Sequence, residues 1–216
     1  MALPTVTQIN QQFNVQISGV YDAITQDLYD FQAYAAAGAT SFSFFQLPIG
    51  QSSKTSDDTN MQLAGQIPAS QFFLMQSAEV VFYPTVPAVT AQNPAAFGAQ
   101  AAAAIINDVY AVYHAGTFLL SIANKNYLTV APIGRLPPKT HMQVMGALAD
   151  ATTAAAASQS RIAFAYPAGR PYMVNPLLIL PNNAFLAQVT FAAAVAITNP
   201  ARIGVVLDGV LYRQAQ

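Results

Sequence analysis

In a chain of 216 residues, 54% are hydrophobic and only 8% are charged, eight Lys or Arg against nine Asp or Glu; an ordinary soluble domain carries about 25% charged residues. The absence of cysteine excludes disulfide staples and thiolate metal sites. The balanced charge without a basic run excludes the phosphate attraction on which nucleic-acid binders rely, so no direct nucleic-acid binding is expected.

Two explanations of so little charge remain: a membrane-embedded chain, or a subunit covered by its neighbours. A spanning helix needs about 20 apolar residues in a row. The best candidate, Ala184 to Ala196, is shorter and alternates. Phe185, Ala187, Val189 and Phe191 fall on one side and Leu186, Gln188 and Thr190 on the other, which is the period of a strand. The start, Met1 to Gln8, lacks a basic region followed by an apolar one, so synthesis in the cytoplasm without export is expected.

In chain order, Val15, Ile17 and Val20 lead into a segment holding Tyr21, Leu28, Tyr29, Phe31 and Tyr34 with Asp22, Asp27 and Asp30 between them. Helix and strand periods compete there, and residues 1–37 are expected to form an N-terminal arm. Phe42 and Phe44 alternate with Ser41 and Ser43 before Pro48-Ile49-Gly50, which predicts a strand and a turn. Gln51 to Ser70 is polar and predicts an exposed loop with a structural or intersubunit role. Phe72 to Tyr83 is rich in β-branched and aromatic residues and predicts a long strand, ended by Pro84 and Pro87.

Alanine-rich Ala95 to Ile106 predicts a helix, and Ala147 to Ala157 a second. Tyr110 to Ile122 and Tyr127 to Ala131 predict a hairpin turning through Asn124-Lys125-Asn126. Further strands are expected at Arg161 to Ala165, Tyr172 to Leu180, Phe185 to Ile197 and Arg202 to Tyr212, with prolines at the junctions. Asp208-Gly209 fits either a hairpin turn or a bulge in one terminal strand. About eight strands with one or two short helical insertions and no internal repeat predict an all-β fold: one single jelly-roll domain over residues 1–216.

No catalytic residue, metal ligand or cofactor is expected. His114 and His141 lie in different contexts, too few for the several histidines of a cupin metal site, and no G-x-S-x-G elbow is present. The adjacent acids Asp57 and Asp58 are read as a solvated turn in preference to a calcium loop, which needs spaced carboxylates. Arg135, Arg161, Arg170, Arg202 and Arg213 sit singly at strand ends, with Glu79 and Asp208 in or beside apolar runs. Such placement suits pairing across interfaces, where the planar guanidinium is favoured, and equally suits capping of local turns.

Three stretches carry a resemblance: Phe44-Phe45-Gln46-Leu47-Pro48-Ile49-Gly50, the run from Asp58 to Pro68, and Arg202 to Gly209. Together they resemble jelly-roll major capsid proteins of tailless icosahedral bacteriophages. The resemblance implies a virion subunit, made in the host cytoplasm, that assembles with many copies of itself and with other capsid proteins, over an internal lipid membrane in some members. It carries over no individual functional residue. Two other classes stay open: a carbohydrate-binding or adhesion β-sandwich using Tyr110, Tyr113, Tyr127 or Tyr172, which sit in apolar runs and read as core, and a jelly-roll hydrolase.

Overall fold

The computed structural model describes residues 3–85, 99–139, 144–148, 160–164 and 172–215. Helix α1 (Val6–Phe13) precedes β1 (Tyr21–Thr25), β2 (Leu28–Tyr34), β3 (Ser41–Phe44) and β4 (Gln71–Tyr83). Helix α2 (Ala99–His114) leads to β5 (Thr117–Ile122), β6 (Lys125–Val130) and a 3-10 turn at Ile133–Arg135. The strands β7 (Val144–Leu148), β8 (Ser160–Phe164), β9 (Tyr172–Ile179), β10 (Phe185–Thr190) and β11 (Ala201–Gln214) follow.

Two antiparallel sheets make the sandwich. One runs β1-β11-β4-β9 with β2 also on β11, the other β3-β10-β5-β6, and β7 and β8 pair separately. The order is that of a long hairpin rolled up. From the β5–β6 turn outward, the successive pairs are β5–β6, β4–β9, β3–β10 and β1 or β2 with β11, and they fall alternately in the two sheets. This is a jelly roll.

Side-chain alternation explains the faces. In β10, Phe185, Ala187 and Val189 are buried while Leu186, Gln188 and Thr190 are half-buried on the outer side; Phe118, Leu120 and Ile122 of β5 and Phe42 and Phe44 of β3 meet them in the core. β4 and β11 are buried over most of both faces, and α1 covers one end of the outside of their sheet. Ile9 packs there with Phe72, Leu74, Val210 and Tyr212, and the Phe72 and Tyr212 rings stack at 4.6 Å.

Several expectations need correction. Tyr110 to His114 is the last part of α2, not a strand. Ile105, Ile106, Val109, Val112 and Tyr113 are its buried positions, the spacing of an amphipathic helix. The hairpin turn is Ala123-Asn124, one residue earlier than read, with φ of 48° and 64°, the two left-handed residues a tight turn demands. The strand read as Phe185 to Ile197 stops at Thr190, after which the chain crosses to the other sheet, the Phe191 N–H donating to Thr40 O and that of Ile197 to Ala36 O.

The later part of the arm read as residues 1–37 belongs to the sandwich, since β1 and β2 both pair with β11. Ala147 and Leu148 belong to β7, and the remainder of the helix expected at Ala147 to Ala157 lies outside the described residues. Among the described residues the strand count reaches eleven, because one edge strand is divided into β1 and β2 and β7–β8 adds a pair.

At Asp208-Gly209, β11 runs straight through. Asp208 faces Ser77 and Gly209 faces Met75, so the bulged residue is Gln76 of the partner strand. A side chain at 209 has no room: its Cβ would stand 2.2 Å from Leu74 O. The break between β1 and β2 falls at the same level, and so does the irregularity of β9 between Met173 and Leu177. There Pro176, which has no N–H, is tolerated because β9 is an edge.

Candidate assembly surface

The charged residues are the natural starting point in a chain with so few. Among the described residues three ion pairs form, all within the subunit. Lys54 Nζ lies 2.6 Å from Asp30 Oδ1, with side chains only 9% and 1% exposed. Asp30 Oδ2 also accepts from Phe45 N–H at 2.6 Å, and Lys54 donates to Phe31 O as well. Burial pushes the Asp30 carboxyl above its ordinary value, against the pull of Lys54 and that N–H.

Arg202 Nη2 is 2.8 Å from Asp58 Oδ1, and its guanidinium lies 4.6 Å from the centre of the Phe31 ring, which stacks on Tyr83. Asp58 Oδ2 accepts from the Thr55 N–H and hydroxyl, both at 3.0 Å, and the N–H leads in holding this carboxyl below its usual value. Its oxygens are therefore engaged by protein donors. The segment Gln51 to Ser70 is docked on β2 by these bonds and by Asn60, whose side chain accepts from Tyr29 N–H and donates to Asp27 O.

The third pair sits on the outer face of the five-stranded sheet, at the level of the strand irregularities. Lys139 Nζ pairs with Asp208 Oδ1, Ser77 Oγ donates to Asp208 Oδ2 at 2.5 Å, and the Lys139 N–H donates to Glu79 Oε2. Asp27 lies near enough for the charges of Asp208 and Lys139 to act on its carboxyl. Three carboxyls thus share one ammonium. Burial first, then the charge of Asp208, raises the Asp27 carboxyl; burial first also raises that of Glu79. Glu79 and Asp208, for which the sequence leaves interface pairing and local capping equally open, bond inside the subunit.

Of the arginines, Arg135 and Arg213 are exposed. Among the described residues Arg135 makes one long bond, 3.4 Å, to Ala131 O, and Arg213 lies opposite Asp22 in register. Arg202 is engaged as described, Arg161 stands on β8 opposite Ala147, and Arg170 lies outside the described residues. His114 is exposed on α2 with its ring 4.1 Å from that of Tyr110; His141 lies outside the described residues.

The tyrosines divide. Tyr113 is buried, accepting from Phe82 N–H and donating to Val80 O, and Tyr172 is half-buried. Tyr110 and Tyr127, read as core, are 53% and 50% exposed. Tyr110 points away on the polar stripe of a helix, and Tyr127 sits at a register shift in the edge strand β6.

With the ions drawn inward, the other sheet presents an almost uncharged outside. β3, β10, β5 and β6 contain one charged residue, Lys125, at the hairpin tip. Cross-strand rows such as Ser43-Gln188-Leu119-Thr129 and Ser41-Thr190-Thr117 make up its outer face. Among the described residues no helix is long and apolar enough to cross a membrane. No protein-family model, curated protein or solved structure matches this chain.

Sequence reasoning missed α1 and its clamp on the outer sheet face. The signal was present as Thr5-Val6-Thr7-Gln8, a capping box in which Gln8 N–H donates to Thr5 Oγ1 at 3.3 Å and Thr5 N–H to Gln8 Oε1 at 2.8 Å.

Proposed function

We propose that this chain is a structural subunit of a viral capsid, of the kind that encloses tailless icosahedral bacteriophages, and that it assembles into a shell through contacts between its own copies. The fold alone does not carry this reading, since jelly rolls also serve as lectins and enzymes. The disposition of charge carries it. Three ion pairs hold charged groups within the subunit and leave a four-stranded face with one charge at its corner. Such a face loses little by desolvation when a neighbour covers it, because burial of ions is the expensive step in association.

On this reading the partners are many copies of the chain and other capsid proteins, with an internal lipid membrane only in those shells of the group that enclose one, and the protein resides in the virion. Light scattering and electron microscopy of the purified chain at physiological salt test it. Discrete particles of many copies are expected; a soluble monomer at every concentration overturns it.

A further inference from the structure

The ion pair of Asp30 and Lys54 differs from the other two in burial. Its side chains are 1% and 9% exposed, whereas Lys139 and Arg202 keep 40% and 36% of theirs in solvent. Asp30 comes from β2, and Lys54 from the docked loop 24 residues further on. Removing two ions from water is costly, and a buried pair relieves that cost when a proton moves from ammonium to carboxylate, leaving a neutral amine beside a neutral acid. Burial raises the Asp30 carboxyl, the direction this transfer needs, and the negative charge of Asp58 acts the same way.

The groups around the pair are those an amide needs. Asp30 Oδ2 accepts from the Phe45 N–H at 2.6 Å, and Lys54 Nζ, 2.6 Å from Oδ1, also donates to Phe31 O. A backbone N–H on Oδ2 polarises the carboxyl and is placed to hold the negative charge that develops on that oxygen when an amine attacks. Phe45 is itself fully buried, so water does not compete for this bond. The Phe31 carbonyl, on the strand beside Asp30, fixes the position of Nζ.

We propose that Asp30 and Lys54 condense into an isopeptide bond between Lys54 Nζ and Asp30 Cγ, a self-formed cross-link that fastens the loop Gln51 to Ser70 onto β2. The ammonium gives one proton to Oδ1, and the neutral Nζ attacks Cγ while the Phe45 N–H holds Oδ2. A second Nζ proton passes to Oδ1, the Cγ–Oδ1 bond breaks, and Oδ1 leaves as water. One ammonium and one carboxylate become one amide and one water, with no change in oxidation state or net charge. The contacts already in place serve the product: its N–H keeps Phe31 O, and its oxygen, Oδ2, keeps the Phe45 N–H. Two buried ions disappear and no buried polar group loses its partner. Holding the reacting groups together supplies an effective molarity of about 10⁵–10⁸ M in well-oriented intramolecular reactions, which offsets the preference of a free amine and acid to stay apart in water. The bond lies within one subunit and does not depend on the shell reading.

Intact mass spectrometry of the chain, purified folded and then denatured, tests the proposal. The wild-type chain should be lighter than its sequence requires by one water, and fragmentation of a digest should find a branched peptide joined at Asp30 and Lys54. Lys54→Arg keeps the positive charge but has no amine that attacks at neutral pH, so it should show its full sequence mass, as should Asp30→Ala whether or not it folds. A folded wild-type chain at full sequence mass overturns the proposal. So does a lost water that fragmentation places at other residues, or one that persists in Lys54→Arg.

Discussion

Gly204 offers the sharpest test of how the outer face is built. A Cβ at this position would stand 2.1 Å from Phe31 Cδ1, 2.4 Å from Cε1 and 2.7 Å from Cγ, where carbon atoms in contact prefer about 3.5–4.0 Å. Because Cγ is the root of the ring, a slight tilt does not relieve the overlap; Phe31 must leave its rotamer. With it go the stack on Tyr83 at 5.8 Å and the seat of the Arg202 guanidinium, which holds Asp58 of the docked loop. Gly204→Ala should therefore cost about 2–4 kcal/mol, combining overpacking with the loss of a partly exposed cation–π contact. That is a large share of a domain stability of about 5–15 kcal/mol.

Urea melts of Gly204→Ala, Phe31→Ala and the double variant measure it. Removing the ring removes the clash, so the double variant should be no less stable than Phe31→Ala alone, a coupling equal to the whole Gly204→Ala cost of about 2–4 kcal/mol. Strict additivity of the two single costs, or a Gly204→Ala chain within about 0.5 kcal/mol of wild type, would refute the packing argument.

Two further outcomes follow from the two central strands. Leu207 is fully buried in β11, so Leu207→Ala should cost about 2–5 kcal/mol in a urea melt, and deleting Arg202 to Gln216 should abolish cooperative unfolding, since β11 pairs with β1, β2 and β4. A truncated chain that still melts cooperatively would make the segment an appendage. Asp27 has its carboxyl raised above the ordinary 3.8 in the folded chain. The folded state then holds its proton longer than the unfolded one, and this group's contribution to stability falls as pH rises from about 3.8 through the raised value. Asp27→Asn should remove that slope and be the more stable protein at neutral pH; parallel stability profiles from pH 4 to 8 for the two chains, about the range where carboxylates titrate, would show the cluster is not under this strain.

How much of this was legible in the sequence depended on how local the cause was. The alternation of Phe42 and Phe44 with serines, and of Phe185, Ala187 and Val189 with Leu186, Gln188 and Thr190, determines strands whichever neighbours they meet, because successive side chains point to opposite faces. The uncharged outside of the second sheet was written in the same residues. Tyr110 to His114 misled because its aromatic and β-branched content suits a strand while its burial follows the helical spacing begun at Ile105.

Low charge and the alternating strand faces were thus determined by the sequence itself, each by steric or solvation rules acting within a few residues. What the tertiary structure alone decided was pairing across long separations. Whether Asp208-Gly209 turns or runs straight is settled by Gln76 on the opposite strand, which takes up the extra residue. Which charges stay available is settled by Asp30 meeting Lys54, Asp58 meeting Arg202 and Asp208 meeting Lys139. The outer edge of β2 belongs to the same class: a distant loop folds back to satisfy its backbone groups, Phe31 N–H donating to Asp58 O, while among the described residues none pairs with the outer edge of β1.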